Sequence, residues 1–165
     1  MTAIVVMGVC GCGKSSVGQG IAAALGLPFT DGDDLHPAAN VAKMASGQPL
    51  TDADRWPWLT KVGETLAPGG VVACSALKRS YRDHIRKAAP DVRFVYLHGD
   101  RALLAARLAA RPGHFMPPAL LDSQLATLEI PQADENPIIL NIAQAIPELV
   151  TLAATALNGD DHPHG

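Results

Sequence analysis

The chain has 165 residues, 48% of them apolar and 18% charged, with a formal net charge of −3. That length suits one compact domain spanning residues 1–165, and the composition excludes disorder and low complexity. No apolar run approaches the ~20 residues of a bilayer span, so no membrane association is expected; an acidic balance with aromatics at 4% argues against nucleic acid as a partner. Met1-Thr2-Ala3-Ile4 shows no basic stretch or cleavage pattern, and Cys10, Cys12 and Cys74 read as reduced thiols, so a cytoplasmic setting is expected.

Ala3–Met7 is a β-branched apolar run ending in Gly8, the pattern of a buried strand. Val17, Ile21 and Leu25 then recur at helical spacing, with Gly26 where a C-terminal cap belongs. Pro28-Phe29-Thr30 leads as a short strand into the acidic loop Asp31-Gly32-Asp33-Asp34. Asn40–Met44 suits a short helix ended by Gly47 and Pro49. Thr51 and Asp54 form a pair like a capping box, and Pro57 is placed at the first position of the next helix, striped by Leu59, Val62 and Leu66.

Val71-Val72-Ala73-Cys74 is a second buried strand, followed by a helix striped by Tyr81, Ile85 and Ala88. Val92–Leu97 is a third strand, and Leu103, Leu104 and Leu108 mark a helix running into the Pro- and Gly-flanked segment 112–118. Leu120, Leu121, Leu125 and Leu128 give another helix, and Ile138–Ile142 the last strand. Ile146, Leu149, Val150, Ala153 and Leu157 line the closing helix, with a polar, frayed tail from Asn158. Strands alternating with helices at this spacing predict parallel β-α units in a three-layer α/β/α domain, and continuous apolar strands predict a sheet covered on both faces.

Gly8-Val9-Cys10-Gly11-Cys12-Gly13-Lys14-Ser15 matches G-x-x-x-x-G-K-[ST] in full, after a strand and before a helix. Glycines let consecutive backbone N–H groups curl around phosphate, and the helix start adds its positive dipole end. Gly8 to Ser16 are therefore the expected ATP-binding residues. Lys14 can reach the β- and γ-phosphates and Ser15 can ligate Mg²⁺. Cys10 and Cys12 have no second Cys/His pair at zinc spacing, although an exposed thiol at a helix N-terminus is prone to oxidation. Neither the N-K-x-D nor the D-x-x-G motif of a GTPase occurs, and motor ATPases are usually longer, which leaves the small kinases.

A small kinase needs an acceptor site and a lid. The acidic stretch 31–34 stands at a strand's carboxyl end, beside the phosphate loop, where a carboxylate can take the proton of an attacking hydroxyl or orient Mg²⁺; alternatively, such residues form a turn. Arg107 and Arg111 share one helix face next to a segment that would be a lid of about 108–124, as arginines do that close over transferring phosphates. A solvated helix face gives the same spacing.

Asp31-Gly32-Asp33, Leu35-His36-Pro37, Asn40, Lys43-Met44, Gly47, Pro49-Leu50, Asp52, Asp54-Arg55 and Pro57-Trp58-Leu59 together resemble the gluconokinases of the phosphate-loop type. Cys74-Ser75-Ala76-Leu77-Lys78, Tyr81-Arg82-Asp83 and Gly113-His114-Phe115 extend the resemblance, which runs in order from Met7 to about Glu135. It implies a shikimate- and adenylate-kinase-like fold with a five-stranded parallel sheet in order 2-3-1-4-5 and a mobile lid. It further implies transfer of the ATP γ-phosphoryl group to the 6-hydroxyl of D-gluconate, Mg²⁺ as cofactor, and a homodimer.

On this resemblance, Lys14, Asp33, Arg107 and Arg111 are the catalytic set, with Asp33 the base or hydroxyl orienter and a metal residue beside Ser15. Arg55, Lys78 and Arg82 are the cations for the substrate carboxylate. His36 and Asn40 either read hydroxyls or buttress a loop, and His114 is the lid's substrate residue. The chain departs from the family in carrying Cys10 and Cys12 where serines are usual, and Asn141-Ile142-Ala143-Gln144-Ala145 where relatives often have an acidic segment. The competing readings are a kinase for another hydroxy acid such as shikimate, and a nucleotide-binding switch module without catalysis.

Overall fold

The computed structural model describes residues 2–48, 50–110 and 118–160. The β-branched run at the N-terminus forms β1 (Ala3–Met7), and the stripe of Val17 and Ile21 forms α1 (Lys14–Leu25), closed by Gly26 in the left-handed conformation (φ 68°). β2 (Phe29–Asp31) passes into a 3-10 turn over Gly32–Leu35, then α2 (Ala38–Ala45). α3 (Asp52–Leu66), β3 (Gly70–Ala73), α4 (Arg79–Ala88), β4 (Arg93–His98) and α5 (Arg101–Ala109) follow. α6 (Pro118–Thr127), a 3-10 turn over Ala133–Glu135, β5 (Ile138–Asn141) and α7 (Ile146–Asp160) complete the order.

The five strands are parallel in the order β2-β3-β1-β4-β5, as the resemblance implies. Val5 of β1 pairs with Val72 of β3 on one side and Phe94 of β4 on the other. Successive residues of a strand face opposite ways, and both directions are filled. Ile4, Val6, Val71, Val95 and Leu97 pack with Val17, Ile21, Leu149 and Ala153 of α1 and α7. Val5, Met7, Val72, Phe94 and Tyr96 pack with Leu59, Val62, Leu66, Tyr81 and Ile85 of α3 and α4. None of the helices among the described residues is long and apolar enough to cross a membrane.

Three expectations need correction. Pro57 does not open a helix. Thr51 is the N-cap with both arms of its capping box in place, so α3 begins at Asp52 and carries Pro57 within it. The proline leaves the Ala53 carbonyl without its helical donor, and both residues lie on the exposed face, where solvent satisfies that oxygen. β5 alternates buried and exposed residues, with Ile139 51% exposed, because it is an edge strand rather than an interior one. α7 also runs on to Asp160, past the predicted fraying point at Asn158. Of the lid range 108–124, the first residues belong to α5 and the last to α6, while Arg111, His114 and the rest of 111–117 lie outside the described residues, as does Pro49.

Candidate active site

The phosphate loop leaves the buried end of β1 and turns where side chains have no room. Gly8 has φ +147°, and a Cβ there would meet the Leu97 carbonyl oxygen at 2.8 Å. Gly11 (φ +86°) lies against Leu108, where a Cβ would come within 2.9 Å of its Cγ. Gly13, also left-handed, is the N-cap of α1 and contributes no side chain to the cap. The first-turn N–H groups of α1 therefore stand at the loop's mouth without helical acceptors. Lys14 folds back, its Nζ donating to the Val9 carbonyl at 3.1 Å. A cradle lined by backbone N–H groups and one ammonium suits a polyphosphate.

Ser15, the second residue of α1, donates its Oγ–H to Asp31 Oδ2 at 3.3 Å. Asp31 ends β2, and its other oxygen accepts the Asp33 N–H at 3.0 Å, fixing the 3-10 turn. The carboxylate that meets Ser15 is thus Asp31 and not Asp33. The reason is geometric: Asp31 is held at the strand end beside Ser15, whereas Asp33 is exposed one step further along the turn. A hydroxyl and a carboxylate side by side at a phosphate cradle are a fitting donor set for Mg²⁺, which takes one or two protein oxygens and completes its shell with water and phosphate.

The cysteines are not exposed nucleophiles. Cys10, Cys12 and Cys74 are all buried. Burial raises the Cys12 thiol above its ordinary range and pushes Cys74 to about 12. Both stay protonated and unreactive at neutral pH.

A second group of side chains is assembled from the turn after β2, α2, α3, α4 and the β3–α4 loop. Trp58 Nε1 donates to the Gly32 carbonyl at 2.7 Å, and the His36 ring stacks on the indole at 4.1 Å and 15°. Burial lowers the His36 pKa, keeping the ring neutral. Asn40 is 5% exposed; its Nδ2 donates to the Asp54 carbonyl at 2.8 Å and lies 3.2 Å from His36 Nδ1. Asn40 thus ties the His36 ring to the first turn of α3. Lys43 closes on Asp54 at 2.6 Å and, by hydrogen bonding, holds that carboxyl at about 2.

Arg55 and Lys78 both approach Tyr81, each 5.5 Å from its ring centre. Arg55 Nη1 donates to the Tyr81 hydroxyl at 3.2 Å, and that hydroxyl donates to Asp52 Oδ1 at 2.5 Å. Lys78 reaches the same carboxylate at 3.4 Å and Arg55 at 3.7 Å. The Tyr81 bond, then Lys78, lower the Asp52 pKa. Two cations and a phenol thus surround the Asp52 carboxylate.

Arg82 does not belong to that group. It is 0% exposed: Nε and Nη2 form a fork on Glu135 at 2.8 and 3.0 Å. Nη1 donates to the Ala76 and Leu77 carbonyls, and Nη2 also to that of Glu129. Burial alone would raise the Glu135 pKa, but hydrogen bonds from Arg82 and Arg86 outweigh it and leave about 2. Ala76 has φ 45°, a costly conformation for a residue with a Cβ. Arg82 clamps that loop, and so serves Lys78 from behind instead of meeting a ligand. Its guanidinium follows Tyr81 on the core-facing side of α4; that placement was readable, but Glu135 as its counter-ion was not.

Arg107 reaches from α5 to the Ile142 carbonyl just beyond β5, and its charge is also felt at Cys12. It stands between the phosphate loop and the β5–α7 connection. The residues overlooked in the sequence are Asp31 as the partner of Ser15, Asp52 and Tyr81 as the frame of the cationic corner, and Gln124, which touches the phosphate loop.

A phosphate cradle at the end of the central strand, an acidic turn beside it and a cationic group on α3 and the β3–α4 loop define a phosphate-loop kinase of the small-molecule class. The family model described as shikimate kinase matches residues 10–149. A gluconokinase of Gluconobacter oxydans (strain 621H) is 50% identical over 153 residues, covering 89% of this chain and 85% of that one. The thermosensitive gluconokinase of Escherichia coli (strain K12) is 48% identical, covering 82% and 75%. The crystal structure of a gluconokinase from Sinorhizobium meliloti 1021 superposes with a TM-score of 0.88 at 51% identity and 98% coverage of both chains. A shikimate kinase from Bacteroides thetaiotaomicron, at 16% identity and a TM-score of 0.67, shares the fold. The chain belongs to the gluconokinase family within this kinase class.

Proposed function

We propose that the protein transfers the γ-phosphoryl group of ATP to the 6-hydroxyl of D-gluconate, giving 6-phospho-D-gluconate and ADP. The observation that carries the reading is the Ser15–Asp31–Asp33 chain of contacts, which sets an acidic turn against the phosphate cradle, with the Arg55–Lys78 corner on α3 and the β3–α4 loop. A hydroxy acid has a hydroxyl to phosphorylate at one end and a carboxylate at the other.

In this reading the loop N–H groups and Lys14 bind the phosphates, and Ser15 and Asp31 would hold Mg²⁺, which would supply positive charge where negative charge builds up on the phosphate oxygens. Asp33 accepts the proton of the 6-hydroxyl as its oxygen bonds to the γ-phosphorus and the bond to the ADP oxygen breaks. Arg55 and Lys78 take the carboxylate, and the neutral His36 ring, held by Asn40 and Trp58, faces the hydroxyls. Arg111, on a lid of about 108–124, and Arg107 just before it close over the transferring phosphates, and His114 of the lid serves the acceptor, all within a single 1–165 domain. A homodimer working in the cytoplasm completes the proposal.

The test is ADP release with ATP and Mg²⁺ against D-gluconate, shikimate, glucose, AMP and no acceptor. Turnover confined to D-gluconate supports the reading; turnover on shikimate alone replaces the substrate, and ATP binding without turnover on any acceptor overturns catalysis.

A further inference from the structure

The phosphate loop is gripped from outside by two helices. α5 sets Leu108 and the Leu104 carbonyl against Gly11. α6 brings Leu121, 1% exposed, into the same apolar cluster as Val9, Cys10, Cys12, Leu104 and Leu108. Three residues on, and on the same helix face, Gln124 reaches the loop's backbone: its Oε1 accepts the Cys10 N–H at 2.7 Å.

We propose that Gln124 is a positioning residue for phosphoryl transfer, its carboxamide oxygen holding the Cys10 N–H so that the loop keeps the shape in which its other amides close on phosphate. The proposal rests on the kinase reading above and adds a residue to it. Cys10 is 8% exposed, so its N–H cannot be handed freely to water. Gly8, Gly11 and Gly13 give the loop its turns but no side chains with which to fix them, so its shape depends on ties from neighbouring elements. Gln124 is such a tie. An amide also suits the place better than an acid, because a carboxylate there would set a negative charge beside a site for anions.

Two substitutions separate the contributions of the oxygen and of neutrality. Gln124→Met keeps length and loses the acceptor; kcat is expected to fall about five- to tenfold, with the thermal midpoint lowered by about 2–8 °C. Gln124→Glu keeps an oxygen acceptor but adds charge; kcat is expected to stay near wild type while KM for ATP rises. Hydrogen exchange at the Cys10 amide should quicken in the methionine variant and remain slow in the glutamate variant. Wild-type kcat and wild-type exchange in Gln124→Met would overturn the proposal. So would tighter binding of a fluorescent ATP analogue by that variant, which would mean that the oxygen competes with phosphate. Exchange and analogue binding need no acceptor, so they decide the matter even if D-gluconate proves not to be the substrate.

Discussion

In the proposed reaction, the phosphate loop and the acceptor wall do the two halves of the work with opposite kinds of material. The loop is contiguous, Gly8 to Ser15, and works through backbone N–H groups whose direction is set by left-handed glycines. The wall draws Asp33 and His36 from one turn and Arg55 and Lys78 from two other segments, and works through side chains, each tied to another: Asp33 to Asp31 through its N–H, His36 to Trp58 and Asn40, Arg55 to Tyr81, Lys78 to Asp52. A backbone site tolerates exchange of its side chains, which is why cysteines can stand in the loop. A side-chain site depends on supports behind it, and removing a support should be felt as strongly as removing a contact.

The strongest test of that difference sets Arg82 against Arg55. Both are α-helical arginines near Tyr81, but one is sealed on Glu135 and the other is about a third exposed. Arg82→Ala leaves a buried carboxylate with half its partners gone and should cost about 3–5 kcal/mol of stability, read as a lowered urea midpoint. Arg55→Ala should leave the urea midpoint close to wild type and raise KM for D-gluconate about 10- to 100-fold. If the two variants behaved alike in both measurements, the division between support and contact would be wrong.

On the loop side, Lys14→Ala removes the only cation the loop itself carries. Its Nζ donates to the Val9 carbonyl at 3.1 Å and lies 3.9 Å from the Cys12 sulfur, so no described carboxylate depends on it. Turnover should therefore fall by about 10²–10³-fold with little change in the melting curve. Wild-type-like turnover would exclude the loop lysine from the transfer step.

The same contrast explains how much the sequence disclosed. The loop was legible because its chemistry depends on order along the chain, and β1 and α1 fall where the apolar runs put them. The sheet order came through resemblance, since spacing alone says only that the strands are parallel. On the wall, the residues were legible as a set but their roles were not. Arg55 and Arg82 look alike in a string, and only Glu135, from a short 3-10 turn with no periodic signal, separates them. Asp31 and Asp33 are likewise interchangeable until the strand end fixes which one meets Ser15. Pro57 misled because helix rules favour proline at a start, whereas the capping box at Thr51 had already set one.

Acid should expose the support network before neutral conditions do. The Glu135 carboxyl is held at about 2 in the folded protein against an ordinary 4.5. The native state therefore binds fewer protons than the unfolded chain between those values. The stabilisation, roughly 3 kcal/mol, is complete above about pH 4.5 and is lost as the pH falls toward 2. Urea midpoints measured between pH 6 and pH 3 should fall in the wild type and flatten in Glu135→Gln, which has no proton to gain. An equal slope in both would assign the acid loss to other carboxylates, Asp54 first among them.

The smallest effect lies where the two regions meet. Trp58 is 4% exposed, and its indole N–H binds the carbonyl of Gly32, the residue before Asp33. Trp58→Phe keeps a ring beneath His36 but leaves the buried Gly32 oxygen without its donor, at a cost of about 1–2 kcal/mol. Because the freed carbonyl sits in the turn that carries Asp33, the wall reading also predicts a few-fold loss in kcat with KM for ATP unchanged. If stability fell while kcat held, Trp58 would be core packing alone, and the position of Asp33 would rest entirely on Asp31, the residue that joins that turn to the phosphate loop.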